Sequence, residues 1–88
     1  MNKRIIGIDL AVSAKHKAVI LDPASNEFIG KQISFRARPV DLERLLHQAR
    51  KGAPDDIVLI AILEATGMAW YPVVAYLQRH GVIVYRVN

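Results

Sequence analysis

Residues 57–64 are Ile-Val-Leu-Ile-Ala-Ile-Leu-Glu, the longest uncharged apolar run of the chain, closed by a carboxylate. Such a continuous run predicts a strand that is buried on both faces and ends at Glu64. Residues 4–9, Arg-Ile-Ile-Gly-Ile-Asp, show a similar pattern near the start and end at Asp9. Carboxylates are seldom buried unless they are paired or bind a metal, so Asp9 and Glu64 together indicate a divalent-cation site.

Length and composition predict one small folded domain. The 88 residues are 52% hydrophobic and 23% charged, which is typical of a globular module and not of a disordered segment. Cysteine is absent, so disulfide scaffolds and thiolate metal sites are excluded. The longest apolar run falls far short of the roughly 20 residues that span a bilayer, and no clean signal-peptide pattern follows the first run. We expect a cytoplasmic domain over residues 1–88 with no membrane contact.

Apolar periodicity and turn residues predict the order of the secondary-structure elements. The predicted strands cover residues 3–10, 17–22, 27–35, 57–63 and 82–87, and the predicted helices cover about 40–49 and 68–80. Thr66 is a candidate N-cap of the second helix, and Pro72 fits only in its first turn, where a missing N–H is not needed. Gly81 is its predicted stop. The predicted core stripe of this helix is Trp70, Val73, Val74 and Leu77.

The β-β-β-α-β-α-β order predicts an α/β fold with a mixed five-stranded sheet. The first three strands are expected to form an antiparallel meander, and the last two to be parallel through a right-handed crossover helix. If the first strand lies beside the fourth, Asp9 and Glu64 meet at a topological switch point, where open α/β sheets bind ligands. Two helices cover only one face of such a sheet, so we expect self-association through the bare face or an edge strand.

The basic residues and one glycine near Asp9 indicate an anionic partner. The net charge is +4, and Lys15, His16 and Lys17 lie in a predicted hairpin loop, where they are candidate nucleic-acid contacts or ordinary solvated surface. Gly7 shares a strand face with Asp9 and leaves a shallow surface beside it. That gap either admits a sugar-phosphate backbone or allows tight packing against another element.

Three segments, taken together, resemble a known protein family. They are Gly7-Ile8-Asp9-Leu10, then Leu63-Glu64-Ala65-Thr66-Gly67 followed by Trp70 and Pro72, and finally the closing strand from Gly81 to Asn88. In this order and spacing they are similar to the DEDD-type transposases of bacterial insertion sequences, relatives of the Piv DNA invertase. The N-terminal domain of that family is RuvC-like, within the ribonuclease H-like fold. The resemblance covers the whole chain.

The resemblance implies a metal-dependent enzyme that acts on DNA. Asp9 and Glu64 would be the first two of four acids that hold two Mg²⁺ ions, with Mn²⁺ as a substitute, for cleavage and transfer of DNA strands. Thr66 and Gly67 would serve the turn and the helix cap. The implied partner is DNA, and some members of the family also use a guide RNA. We expect the full protein to be a homo-oligomer.

The chain departs from the family pattern in two ways. The family's second pair of acids, Asp-x-x-Asp, has no counterpart before Asn88, so we expect an N-terminal fragment that binds Mg²⁺ or Mn²⁺ weakly and does not cleave DNA alone. The complete two-metal site and the serine of the family's C-terminal domain would belong to the full protein. Many members also carry a lysine three residues after the first acid, where this chain has Val12, which weakens a phosphate-gripping role for Lys15 or Lys17.

Two other functional classes stay open. The actin-like ATPase and sugar-kinase superfamily shares the predicted sheet order and opens with a similar Gly-Ile-Asp strand. It continues with Gly-Thr to hold phosphate, whereas this chain has Leu10-Ala11-Val12-Ser13. The third class is a non-catalytic α/β interaction module whose acids are incidental.

Overall fold

The computed structural model describes residues 2–11, 14–64, 67–68 and 70–87. The elements in chain order are β1 (Lys3–Asp9), β2 (His16–Asp22), β3 (Glu27–Phe28), β4 (Ile33–Phe35), α1 (Pro39–Arg50), β5 (Val58–Glu64), α2 (Trp70–Arg79) and β6 (Ile83–Val87). The predicted alternation of strands and helices is confirmed except in the third strand. Thr66, Val12 and Ser13, which entered the sequence argument, lie outside the described residues.

The strands of the described residues form one mixed sheet in the order β3-β2-β1-β5-β6, with β4 also paired to β2. β1 pairs antiparallel with β2 and parallel with β5, and β5 pairs parallel with β6. The predicted contact between the first strand and the strand after α1 is therefore confirmed, as is the parallel pairing of the last two strands. The chain is an α/β domain with a mixed sheet and two helices.

The third predicted strand, residues 27–35, is wrong as a single element. It is divided into β3, which pairs with the end of β2, and β4, which pairs with the start of β2. Gly30 lies between them with φ 70, a left-handed conformation that a continuous strand does not adopt. The described sheet therefore has six strands and not five.

Both helices pack on the same face of the sheet. Leu45 of α1 and Leu77 of α2 are fully buried in one cluster with alternate residues of the central strands, such as Ile6 of β1 and Ala61 of β5. The prediction that β5 is buried on both faces is wrong, because its buried residues alternate with partly or fully exposed ones. The prediction that one face lacks a helix is supported, and we call that side the open face. Its described members on the three parallel strands include Ile5, Gly7, Asp9, Ile60, Ile62, Glu64, Ile83, Tyr85 and Val87.

The helix ends are fixed by local hydrogen bonds and by one distant arginine. Arg4 of β1 donates from one guanidinium nitrogen to the carbonyls of Ala49 and Lys51, at 3.0 and 2.6 Å, and so caps the C-terminus of α1. α2 ends at Arg79 and is followed by its predicted stop, Gly81, where φ is 83; the Val82 N–H donates to Leu77 O at 3.0 Å. No helix in the described part of the chain is long and apolar enough to cross a membrane.

Candidate metal centre

The two acids singled out in the sequence are the last residues of two neighbouring parallel strands. Asp9 ends β1 and Glu64 ends β5. The register pairs Gly7 with Ile62 and Ile8 with Leu63, so Asp9 and Glu64 form the next row. Adjacent strands lie about 4.8 Å apart, which places the two side chains side by side. The structure therefore brings these two residues together, and their role as metal ligands stays a prediction.

Both carboxylates lie on the open face. Ile8 and Leu63, the residues before them, are buried against the helices, so strand alternation directs Asp9 and Glu64 to the opposite side. Both residues are solvent exposed. The expectation that these charges are buried and need a compensating cation is therefore wrong. What distinguishes the two carboxylates is that they lie next to each other, not that they are shielded from water. The physical reason is that no helix of the described residues covers this side of β1 and β5.

A cavity of about 450 Å³ lies on the open face beside the acids. Its floor is mostly apolar, with Ile5, Gly7, Val19 and Ile62 among the residues that line it. A Cβ added at Gly7 would meet Val19 Cγ2 at 3.5 Å, an ordinary contact distance. Tight packing therefore does not explain this glycine. The structure favours the other explanation, in which Gly7 keeps the floor of the cavity shallow.

Lys17 is the basic residue of this cavity. It pairs with Asp9 across the β1–β2 ladder and lines the same cavity on the open face. The only ion pair between described residues joins Arg38 and Asp41, so neither Asp9 nor Glu64 is paired with Lys17. Lys15 is also exposed but lines a different groove, beside α1. The basic residues predicted as nucleic-acid contacts therefore do not all lie on one surface.

The expectation of an exposed loop residue is wrong for His16. It begins β2, retains only 7% of its exposure, and packs its ring 5.4 Å from the ring of Phe35. Its Nδ1 accepts the backbone N–H of Ala11 at 3.0 Å, and burial lowers the pKa of the imidazole from its usual value of 6.5. This histidine is a core residue and does not present its ring to a ligand at the surface.

The two carboxylates can bind a hard divalent cation, but they supply only part of its coordination shell. Carboxylate oxygens are the ligands that Mg²⁺ prefers, and Mg²⁺ in proteins often keeps several waters and takes only one or two carboxylates. Within the described residues no group of three His, Cys, Asp or Glu side chains is placed to hold a metal. The acid pair therefore fits one hydrated Mg²⁺ ion and does not by itself make a two-metal site.

Sequence reasoning missed one polar residue of the cavity and a nearby basic groove. Gln32, between β3 and β4, lines the open-face cavity and also the groove beside α1 that contains Lys31 and Arg44. Lys31 and Gln32 are adjacent in one loop, whereas Arg44 lies on α1, so no local spacing in the sequence joins the loop to the helix. No protein-family model matches the chain, and no match is found among curated proteins. Functional assignment therefore rests on the acid pair and its surroundings.

Proposed function

We propose that this chain contributes two metal-binding carboxylates to a Mg²⁺-dependent DNA transposase or recombinase with a RuvC-like, ribonuclease H-like catalytic domain. The observation that carries the proposal is the placement of Asp9 and Glu64 side by side at the carboxyl ends of β1 and β5. The sheet order, with β1 between an antiparallel and a parallel neighbour, supports the proposal because it puts the ends of β1 and β5 at the predicted topological switch point. The proposal includes a cytoplasmic location, DNA as partner and, in members that use one, a guide RNA.

The chain's own residues have distinct parts in this proposal. Asp9 and Glu64 hold the cation between adjacent strand ends, where the paired backbones fix the spacing of the two carboxylates. A bound Mg²⁺ ion would supply charge stabilisation at a phosphoryl oxygen. The shallow apolar floor around Gly7 gives a sugar room to approach, and Lys17 offers a positive charge to a phosphate beside Asp9. Because two carboxylates are half of the implied set of four, we expect the 88 residues to bind metal weakly and not to cleave DNA.

A Mn²⁺ titration followed by NMR tests the proposed cation site. Paramagnetic broadening is expected first at the backbone amides of residues 8–9 and 63–64, at sub-stoichiometric Mn²⁺, and is expected to be reversed by excess Mg²⁺. Asp9→Asn and Glu64→Gln should each remove this local broadening. Asp55→Asn is the matched control, because Asp55 and Asp56 are also two adjacent exposed acids but lie in a turn away from the strand ends.

The titration also distinguishes the metal-dependent enzyme from the non-catalytic interaction module. Broadening that is spread evenly over surface acids, or that persists in both acid variants, would reject a defined metal site. The non-catalytic interaction module would then be the better account of the chain. Local broadening that is lost in Asp9→Asn and Glu64→Gln and kept in Asp55→Asn supports the metal-dependent enzyme.

A further inference from the structure

A basic groove of about 730 Å³ lies between β4, the loops before β2 and β4, and α1. Its charged side chains are Lys15, Lys31, Arg38, Arg44 and Asp41, four basic groups against one acid. The four basic residues come from three separate segments of the chain. Their convergence on one groove is therefore a property of the fold and accounts for much of the chain's net positive charge.

The single acid of the basic groove is occupied by local partners. Asp41 accepts the Arg36 N–H at 2.7 Å and contacts Arg38 Nε at 3.2 Å, and its side chain is only 13% exposed. These hydrogen bonds lower the pKa of the Asp41 carboxyl, so it stays ionised and bound to these groups near neutral pH. The charge of Asp41 is therefore met by groups that immediately precede α1, and the two lysines stay available to a ligand.

Arg44 is held in place at the wall of the groove. It donates to the Ser34 carbonyl at 2.7 Å, which uses one of the five N–H donors of a guanidinium. A side chain that is anchored in this way loses less entropy when it binds a phosphate oxygen, because its orientation is already set. Arg44 is therefore the best-positioned phosphate ligand of the groove.

The basic groove adjoins the acid pair across two strands. Ser34 of β4 pairs with Lys17 of β2, and Lys17 pairs with Asp9 of β1. At about 4.8 Å per strand, Ser34 lies about 10 Å from Asp9, roughly three nucleotides at 3.4 Å per step. Gln32 lines both the basic groove and the open-face cavity. One extended anionic ligand can therefore occupy both.

The composition of the groove distinguishes between kinds of anionic polymer. No aromatic side chain is found among its described lining residues, so it lacks the stacking platform that proteins use for single-stranded nucleic acids. It offers instead spaced cations that match a regular row of phosphates. Among the lining residues that the structure describes, only Ile33 and Val40 are apolar, which gives a protein partner little to bury. The chemistry therefore favours the backbone of a duplex.

We propose that the basic groove binds the phosphate backbone of duplex DNA, without sequence readout, and directs one strand over β4 and β2 toward Asp9. Binding in the groove stands on charge and geometry alone. Delivery of the strand to the acids rests on the proposed function above. Lys15, Lys31 and Arg44 make the phosphate contacts, and Lys17 continues the row on the open face.

Fluorescence anisotropy with a labelled 20-base-pair duplex, in EDTA so that no metal contributes, tests the groove. Three to four phosphate contacts predict a binding constant that falls by about 40- to 150-fold between 50 and 200 mM NaCl, since each contact adds about −0.9 to the slope against log salt. Lys31→Gln and Arg44→Gln should each weaken binding and reduce that slope by about 0.9. Lys51→Gln and Arg79→Gln, at exposed basic positions elsewhere, should leave both unchanged.

Several results would overturn the proposal. These are equal losses in Lys51→Gln and Arg79→Gln, a slope near zero, and binding of poly-glutamate as tight as that of DNA. Lys31→Gln keeps the test valid if Arg44→Gln disturbs the fold, because Lys31 makes no hydrogen bond to other described residues. Asp9→Asn and Glu64→Gln should not weaken binding in EDTA. A failure of the groove proposal can therefore be distinguished from a failure of the metal-site proposal.

Discussion

The two faces of the central sheet come from the same strands and have opposite characters. On the covered face Ile6, Ala61 and Leu63 are almost completely buried under the two helices. On the open face Ile62 is 37% exposed and Tyr85 is 57% exposed, and both candidate acids lie there. The covered face forms the core, and the open face contains the residues of the proposed site. Adjacent residues of one strand can therefore be used to separate stability from function.

The largest effect is expected from Leu63 and Ile62, neighbours in β5 that point to opposite faces. Leu63→Ala should lower the free energy of unfolding by about 2–5 kcal/mol, because it leaves a cavity in a closed core. Ile62→Ala should cost about 1 kcal/mol or less, since much of its surface is already in water. Urea unfolding of both variants measures the difference. Similar losses of unfolding free energy in the two variants would show that the open face is covered in solution.

The next effect concerns His16 on the covered face. Because burial lowers its pKa, the native state binds fewer protons than the unfolded state, so stability should fall as pH drops below about 6.5. His16→Leu should cost about 1–3 kcal/mol at pH 7.5, since the Ala11 N–H loses its acceptor, and should flatten the pH dependence. Melting temperatures from pH 7.5 to 5.5 test this. The exposed His47→Gln is the control, and equal flattening there would contradict it.

A smaller effect of opposite sign is expected for Asp9→Asn on the open face. Two like charges on neighbouring strands repel, so without divalent cations this variant should be more stable than wild type by up to about 1 kcal/mol. Added Mg²⁺ should stabilise wild type and leave the variant unchanged, because only a site in the native state gains from the ion. Thermal melts with and without Mg²⁺ measure both. A destabilised variant would mean that Asp9 has a structural role.

The smallest effect is weak self-association through the open face. Ile83, Tyr85 and Val87 of β6 expose apolar surface next to Ile62, and nothing in the described chain covers it. Sedimentation equilibrium should show an average mass that rises with concentration, and Tyr85→Lys should remove the rise. Tyr71→Lys, at an equally exposed position on α2, is the control. A monomer mass at all concentrations would contradict the expectation.

The amino-acid sequence predicts the fold and the candidate site unevenly, for physical reasons. Strand order and the meeting of Asp9 with Glu64 could be predicted, because apolar runs and strand ends are local signals that topology rules convert into neighbours. The exposure of the acids was predicted wrongly, since a continuous apolar run does not show which face receives a helix. His16 is predicted in a loop but begins β2, because the predicted strand starts one residue too late.

The basic groove could not have been found from sequence alone. Lys15, Lys31 and Arg44 are far apart in the chain, and they converge only because α1 packs beside β4. The break at Gly30 also escaped prediction, because glycine occurs within continuous strands as well as between them. Positions that depend on how two elements pack are set by contacts between distant segments, and no local pattern reports them.

The central position of β1 has a consequence for synthesis. Its antiparallel partner β2 follows within a few residues, while its parallel partner β5 begins only at Val58. A ribosome that adds 5–20 residues per second needs roughly 2–7 seconds to make the approximately 35 residues between β2 and β5. During that time β1 has β2 on one side but lacks β5 on the other, and Ile6 and Ile8 lack the complete layer of two helices that later covers them. The nascent chain therefore passes through an interval in which chaperone binding competes with aggregation.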